Sequence, residues 1–385
     1  MCADMMTSRQ RLKTVLDGLV PDCVPVAPDI SNMIPCRLTG KPFWDIYLYN
    51  DPPLWMAYID AVKFFGLDSL MDGYVNVFFD GLDADDSDWI ETIIFQDDDR
   101  IITQKYRKRQ SGHDWNEYVT LYPKDNPPWI VRPELLHLSA VPSSYVPVEG
   151  KKIWDRGPAT LKVAKERLGD SGLIGVTCGT SMLLHDEESI MKYFDDPGYF
   201  HEKRDKLLDY YEQRFNRIIN LPDDTRPDFI ATGGSGTFVF QTEAIFRDLA
   251  LPIVQKMTRL AKENGLYSHI HSCGPESKLV EICYSETDLT VIDPLEIPHM
   301  GDCNLRSLKQ LYGHKLVLKG NIHTINVMLN GTVADVVSAS EEAIDDAAFG
   351  GRFILSTGDQ CGRDTPFENI QAMVNTARTY GKYTR

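Results

Sequence analysis

Short apolar runs recur along the chain, and most are followed by a turn rich in Gly, Asp or Pro and then by an amphipathic stretch. This alternation predicts strands and helices in turn, the order that forms a parallel sheet. Eight runs are expected to be strands: 24–27, 69–71, 173–176, 229–231, 267–271, 289–292, 316–318 and 353–356. Eight such units favour an α/β fold of TIM type, a closed (β/α)8 barrel.

Four stretches carry clear helix signals. Helices are expected near 198–220, from 242 to about 264, over 332–347 and over 366–380. Asp196-Pro-Gly leads into the first of these, and Pro366 is expected at the first helical position of the last.

Residues 75–165 do not follow the barrel repeat. Alternating apolar and polar positions over 89–95 and 100–106 predict antiparallel strands instead. We interpret the chain as a single domain over 1–385, with 75–165 inserted between strands two and three. An insertion of this length is expected to cover or shape the active site, and a passive elaboration of the scaffold is the alternative.

Composition excludes several classes of protein. Of the 385 residues 43% are hydrophobic and 25% are charged, which is ordinary for a globular protein, and no run approaches a membrane span. The N-terminus lacks a signal-peptide pattern, so a cytoplasmic protein is expected. The net charge of −16 argues against nucleic acid or an anionic membrane as a partner. The eight cysteines form no CxxC, which favours free thiols or metal ligands over disulfides.

A histidine and two cysteines are the candidate metal ligands. His271 and Cys273 stand two positions apart at the end of a predicted strand, on the same face, and Cys361 follows the last predicted strand. Zinc prefers imidazole and thiolate ligands, and three protein ligands leave one open position, as in catalytic sites. In a barrel the ends of the strands build the active site. The alternative is a buried histidine and two core cysteines.

Further candidates lie near other strand ends. His269 shares the face of His271, one pleat deeper, whereas Cys283 and Cys303 are interpreted as structural. We expect a catalytic or ligand-orienting role for four polar residues and a backbone contact to a ligand at two glycines: Glu243, Glu296, Asn321 and Asp359, and Gly233 and Gly234. The alternatives are helix caps, surface charges and a fixed loop.

The chain resembles the uroporphyrinogen decarboxylase superfamily over nearly its whole length. The resemblance is carried by 8–12, 21–26, 269–274 (HIHSCG), 293–296 (DPLE), 318–322 (LKGNI), 350–357 (GGRFILST) and 364–370 (DTPFENI). The decarboxylases of this superfamily act on a tetrapyrrole without a metal, and an arginine in an N-terminal Pro-Val-Trp-x-Met-Arg-Gln stretch grips the substrate carboxylates. Here 25–34 contains no arginine, and the segments 175–179 and 358–362 also depart from the decarboxylase pattern.

A second branch of the superfamily is more similar. Its zinc methyltransferases, such as methylcobamide:coenzyme M transferases and methoxyaromatic O-demethylase components, carry His-x-Cys after one strand and a distant Cys after the last. His271, Cys273 and Cys361 match this pattern. The resemblance implies a Zn²⁺-dependent methyltransferase that moves a methyl group between a small methylated donor, or a thiol, and cobalamin on a corrinoid protein. The alternatives are a metal-free uroporphyrinogen decarboxylase and a non-catalytic zinc-binding barrel.

Overall fold

The computed structural model describes residues 5–84 and 87–383, which divide into two compact units. The parallel-sheet unit comprises Met1–Asp29, Val62–Val77 and Arg156–Arg385, and the antiparallel-sheet unit comprises Ile30–Ala61 and Phe78–Asp155.

The strands and helices follow in chain order. The strands are β1 Ser69–Met71, β2 Ile90–Gln96, β3 Arg100–Arg109, β4 Gly112–Pro123, β5 Trp129–Val131, β6 Val146–Pro147, β7 Gly172–Thr180, β8 Phe229–Gly233, β9 Tyr267–His271, β10 Val291–Asp293, β11 Val317–His323 and β12 Phe353–Gly358. The helices are α1 Ser8–Leu16, α2 Met33–Thr39, α3 Phe43–Tyr47, α4 Leu54–Phe65, α5 Pro158–Leu168, α6 Glu187–Asp195, α7 Pro197–Ile219, α8 Thr237–Phe240, α9 Glu243–Ile245, α10 Leu251–Glu263, α11 Ser277–Glu286, α12 Leu305–Tyr312, α13 Val333–Ala347 and α14 Phe367–Thr379. Within the described residues, no helix has the length and apolar character that a membrane crossing requires.

Seven parallel strands form one sheet, in the order β1-β7-β8-β9-β10-β11-β12. These strands are buried on both faces, which is why their sequences appear as apolar runs without alternation. Seven of the eight predicted runs overlap them, so the prediction of a parallel α/β sheet is confirmed.

The first predicted strand is the exception. Residues 24–27 form only an isolated parallel bridge, from Val26 to Leu355 of β12. The N–H of Ala27 donates to Leu355 (2.8 Å), the N–H of Leu355 donates to Pro25 (2.9 Å), and the N–H of Asp68 donates to Val26 (2.9 Å). Pro25 has no N–H for a ladder, which limits pairing here. The closed eight-stranded barrel therefore stays a prediction.

The amino-terminal ends of the strands are closed by α1. Leu12, Val15 and Leu16 of this helix pack against the first apolar residues of the strands, including Phe229. Gly175 of β7 makes room for that ring, because a Cβ at this position would lie 2.2 Å from it. The apolar core thus fills this end of the sheet and leaves polar side chains to the carboxyl ends.

The predicted helices are present, with two corrections. Pro366 precedes the first residue of α14 instead of occupying it. The single helix expected over 242–264 is divided into α9, a π-helical turn at Phe246–Ala250 and α10. Pro252 explains the division, because it removes a donor from the i→i−4 ladder and the preceding turn widens to accommodate it.

In the antiparallel-sheet unit the strand order is β5-β4-β3-β2-β6. Ile102 packs with Val119 and Leu121 on one face, and Ile101 packs with Tyr122 on the other, as alternation along a strand requires. The antiparallel strands expected at 89–95 and 100–106 are confirmed as β2 and β3. This unit also includes Ile30–Ala61, and the expected role of 75–165 at the site stays a prediction.

Candidate metal centre at the strand ends

Two histidines of β9 share one buried carboxylate. His269 and His271 point to the same face, and Asp293, the last residue of β10, lies beside His271 in register. The Asp293 carboxylate accepts from His269 Nε2 (2.9 Å), from His271 Nδ1 (3.2 Å) and from Lys319 Nζ of β11. Three adjacent strands therefore hold the His271 ring in one orientation.

The charged side chains around Asp293 stabilise one another's ionised forms. Burial alone would raise the pKa of the Asp293 carboxyl, but Lys319 and the two imidazoles hold that pKa well below its usual range. Burial opposes protonation of His271, yet Asp293, then Asp359 and Cys273, raise its pKa well above the ordinary value. A carboxylate at Nδ1 fixes the tautomer that leaves Nε2 free to bind a metal. Nε2 lies 3.5 Å from Asp359 Oδ1.

His269 does not serve as a ligand in this arrangement. Its Nδ1 contacts Asp72 Oδ2 (3.2 Å), immediately after β1, while its Nε2 contacts Asp293. Because carboxylates occupy both ring nitrogens, this side chain orients Asp293 instead of facing a metal.

Cys273 follows β9 and adjoins a serine that the sequence analysis missed. Its Sγ lies 2.8 Å from the Ser235 hydroxyl, and the thiol also hydrogen-bonds with His271. The pKa of the thiol is lowered, first by His271 and, against burial, also by Ser235. A lower pKa favours the thiolate, which is the form that binds metals. The one available signal was that Ser235 directly follows Gly233 and Gly234, the two glycines expected to contact a ligand.

Two sets of side chains have the spacing of metal ligands. One is Asp29, His271 and Asp359, and the other is Cys273, Glu296 and Asp359; in each set the ligand atoms lie within 4.8 Å of one another. Bonds to zinc are about 2.0–2.3 Å long, so two ligands of one ion lie at most ~4.6 Å apart. The donor types fit a divalent cation, and the 4.8 Å limit is close to this largest separation. Asp359 is common to both sets, and neither set contains both His271 and Cys273.

Glu296 supplies an unused acceptor to the second set. Its side chain is buried, and its Oε2 accepts from the N–H of Gly274. Its Oε1 has no hydrogen-bond partner in the described part of the chain. A buried carboxylate oxygen without a partner is costly, and a bound cation would satisfy it.

Cys361 belongs to neither set within residues 5–84 and 87–383. It is fully buried, its N–H donates to the Asp29 carbonyl (2.8 Å), and its thiol hydrogen-bonds with Thr357 and Thr365. Burial raises the pKa of this thiol. Of the three predicted ligands, the structure thus brings together His271 and Cys273. The described cysteines are all free, and Cys2 lies outside the described residues.

The remaining predicted residues have structural contacts. Glu243 begins α9 and forms an exposed ion pair with Arg247 (2.8 Å). Asn321 is buried and its Nδ2 donates to Leu295 (3.1 Å), which fixes the loop after β10. The carbonyl of Gly233 accepts from Ser181, and a Cβ on Gly234 would lie 2.8 Å from the Leu183 side chain. Roles for these four in catalysis or ligand binding stay predictions.

Comparisons with known proteins agree with the resemblance. The family described as uroporphyrinogen decarboxylase (URO-D) matches residues 238–380, which include His271, Cys273 and Asp359. The methylcobamide:CoM methyltransferase MtbA of Methanosarcina mazei is 28% identical over 137 residues, covering 35% of this chain and 37% of the relative. A methylated-thiol–coenzyme M methyltransferase of the same organism is 27% identical over 151 residues, covering 39% of this chain and 37% of the relative.

The fold comparison covers nearly the whole chain. A solved methyltransferase from Methanosarcina mazei superposes with a TM-score of 0.60 and 16% identity over 97% of this chain and 99% of that one. The sequence matches extend over little more than a third of each curated relative. Together they confirm that the chain resembles the corrinoid methyltransferase branch of the uroporphyrinogen decarboxylase superfamily, and that its relatives are methyltransferases.

Proposed function

We propose that this protein is a zinc-dependent methyltransferase that moves a methyl group between a small methylated donor, or a thiol, and cobalamin on a corrinoid protein. The observation that carries the proposal is the pair His271 and Cys273 at the end of β9, with Asp293 holding the imidazole through Nδ1. This pair offers a nitrogen and a sulfur to a borderline-soft cation. A zinc ion bound there would supply Lewis acidity to an ether oxygen or a thiol sulfur.

The surroundings of the pair support methyl transfer over tetrapyrrole decarboxylation. Five carboxylates lie around it or around the neighbouring His269: Asp29, Asp72, Asp293, Glu296 and Asp359. Lys319, the buried cation in this network, is already paired with Asp293. A substrate with several carboxylates would meet like charge here, and repulsion in a buried site is strong.

In a closed barrel, the candidate metal site would be reached from the end at which the strands terminate. We take residues 24–27 as the eighth member of the parallel sheet, hydrogen-bonded to Leu355 of β12 and to Asp68 before β1. A barrel closed in this way would arrange the strand ends around one mouth. Cobalamin carried on a separate protein requires an open mouth of this kind.

The test measures metal and methyl transfer together. The wild type, His271→Ala and Cys273→Ser are purified, reconstituted with zinc and analysed for metal content. Each is then incubated under anaerobic conditions with cob(I)alamin and either a methoxybenzoate or dimethyl sulfide. The reverse reaction uses methylcobalamin and 2-mercaptoethanol. We expect about one zinc per chain and methylcobalamin formation or consumption in the wild type, with a loss of ~100-fold or more in both variants.

A matched control keeps the result specific. Cys283→Ala changes a fully buried cysteine of α11 outside both ligand sets, and it should leave metal content and transfer unchanged. A folded wild type that binds no zinc and transfers no methyl group in either direction would overturn the proposal.

A further inference from the structure

We propose that a basic cavity at the amino-terminal ends of β8 and β9 binds a phosphate dianion, either inorganic phosphate or the phosphate group of a small phosphomonoester. The cavity has a volume of about 250 Å³ and lies within the parallel-sheet unit. Asp228 directly precedes β8 and Tyr267 begins β9, whereas His271 ends β9, so the cavity and the candidate metal centre are at opposite ends of the sheet. Binding here does not depend on the proposed methyl transfer, and either proposal can fail without the other.

The walls of the cavity carry more positive than negative charge. Four cations and two carboxylates line it: Arg9, Lys13, Lys165 and Arg226, and Asp223 and Asp228. The chain as a whole has 40 Lys and Arg residues against 56 Asp and Glu residues, so this local balance is opposite to that of the protein. A concave surface lined by one sign of charge raises the local concentration of ligands of the opposite sign.

One of the two carboxylates is fully used by its neighbours. Asp228 Oδ2 accepts from Arg9 Nη1 (3.0 Å) and from the N–H of Ile174 (3.0 Å), and its Oδ1 accepts from Arg9 Nη2. This bidentate pair balances the charges of Arg9 and Asp228 against each other. Asp224, outside the cavity, is likewise paired with Lys162 (2.7 Å).

The two lysines of the cavity lack such a partner. Lys13 is exposed one helical turn after Arg9, and it forms no ion pair with any residue that the structure describes. Lys165 Nζ donates to the carbonyls of Asp223 (3.0 Å) and Arg226 (2.7 Å), and to no carboxylate of residues 5–84 and 87–383. Two ammonium groups therefore face the cavity without a carboxylate of their own.

These cations are close enough to disfavour one another. Burial lowers the pKa of the Lys165 ammonium, and the positive charges of Arg9 and Lys13 lower it further, against the attraction of Asp228 and Asp224. An anion between the two lysines would remove this repulsion and would accept hydrogen bonds from both ammonium groups.

Arg226 adds an independent observation. Its Nη2 donates to the Leu221 carbonyl (3.2 Å) and lies 3.4 Å from Asp223 Oδ1. Its Nε is buried and has no hydrogen-bond partner among the described residues. A buried guanidinium N–H without an acceptor is uncommon and costly. An anion oxygen that enters beside Arg226 would supply the acceptor.

Size and charge together favour a phosphate group. Pockets for drug-sized ligands measure about 300–1,000 Å³, so this smaller cavity suits a small anion. The second pKa of a phosphate group is about 6, so it carries nearly two negative charges above pH 7. Two charges match the two lysines, whereas a single carboxylate would leave one of them unbalanced.

The test is isothermal titration calorimetry of the full-length protein at pH 8 and constant ionic strength. Sodium phosphate and glycerol 3-phosphate are the two phosphate probes, and acetate is the monoanion for comparison. The variants are Lys13→Gln, Lys13→Gln/Lys165→Gln and Asp223→Asn. Lys262→Gln is the matched control, because this exposed lysine pairs with Asp288 outside the cavity.

We expect saturable binding of at least one phosphate probe at one site per chain, and much weaker binding of acetate. Lys13→Gln should weaken binding by ~10-fold and the double variant by ~100-fold or more, because each change removes a charge-assisted hydrogen bond. Asp223→Asn should tighten binding by about 2- to 5-fold, since it removes a like charge. Lys262→Gln should bind as the wild type does, and circular dichroism confirms that each variant is folded.

The two phosphate probes distinguish the source of the group. Tighter binding of inorganic phosphate identifies the free ion as the ligand, and tighter binding of glycerol 3-phosphate identifies a phosphomonoester; both results support the site. The proposal is overturned if neither probe binds the wild type saturably, if acetate binds as tightly as phosphate, or if the folded double variant binds like the wild type. An equal loss in Lys262→Gln and Lys13→Gln also overturns it, because the effect would then be one of overall charge.

Discussion

The buried pair of Asp293 and Lys319 gives the sharpest prediction about stability. Lys319 is 6% exposed, and Asp293 is the carboxylate that its Nζ contacts. Asp293→Asn keeps the shape of the side chain but leaves the ammonium in a buried place without that charge. We expect the free energy of unfolding of the metal-free protein at pH 7 to fall by about 3–5 kcal/mol.

The magnitude follows from what the lysine can do. Burial can lower the pKa of a lysine by about 3–5 units, so Lys319 could release its proton near neutral pH. At about 1.4 kcal/mol per pKa unit, that release costs up to ~5 kcal/mol, which sets the upper end of the range. The two histidines adapt at less cost, because an imidazole titrates close to pH 7.

The assay is urea unfolding followed by far-UV circular dichroism, with Lys319→Met and the double variant Asp293→Asn/Lys319→Met alongside. The double variant contains neither buried charge, so it should lie within about 1–2 kcal/mol of the wild type. Asp288→Asn, in the exposed pair with Lys262, is the control and should cost no more than about 1 kcal/mol. A loss below 1 kcal/mol in Asp293→Asn, or a double variant as unstable as the sum of its single changes, would refute the reasoning.

Three further predictions concern other parts of the chain. The pKa of Lys309 is lowered to about 8 by burial and then by Arg352, so the unfolded chain binds more protons than the folded chain between pH 8 and 10.5. The free energy of unfolding of the wild type should therefore rise with pH through that window, and Lys309→Met should flatten this rise in urea unfolding midpoints. An unchanged pH slope in Lys309→Met would contradict this cause. Gly175→Ala places a Cβ against the Phe229 ring and should cost about 1–3 kcal/mol or more in urea unfolding, with partial recovery when Phe229→Leu is added; a neutral Gly175→Ala would show that the ring moves freely. Zinc at about 100 times its Kd should raise the free energy of unfolding of the wild type by ~2.7 kcal/mol, followed by thermal unfolding, and should leave that of Cys273→Ser unchanged. An equal shift in both proteins would show that the metal binds elsewhere.

The sequence predicts the parallel sheet well for a physical reason. Strands covered on both faces need continuous apolar residues, so runs such as 173–176 and 353–356 stand out between polar turns. The run at 24–27 is also apolar, but its proline removes a ladder donor, and it forms a bridge instead of a strand. The widened turn before Pro252 also escaped prediction, because helix periodicity does not distinguish α from π geometry.

The candidate site is less accessible to sequence reasoning. His271 and Cys273 are two positions apart, so the sequence alone brings them close, although β9 ends at His271 and Cys273 lies in the loop that follows. Asp293 and Ser235 approach them only because β10 and the loop after β8 are neighbours of β9 in the sheet. Cys361 and Asp359 are two positions apart, and spacing cannot distinguish which of them approaches His271. The structure places the Asp359 carboxylate near His271, after a backbone turn with a φ of 87° at Asp359 that no residue type signals in advance.

The division of the chain has a consequence for cutting it into pieces. Each unit is assembled from separated segments, and the chain passes from one unit to the other after Asp29, Ala61, Val77 and Asp155. The second of these passages lies inside the helix Leu54–Phe65. A gene fragment that encodes only 78–155 would express the antiparallel strands without the helices of 30–61 that pack on them, as Leu48 packs on Ile101. Domain exchange with a relative must therefore transfer two segments at once, and a single proteolytic cut cannot release either unit as one peptide.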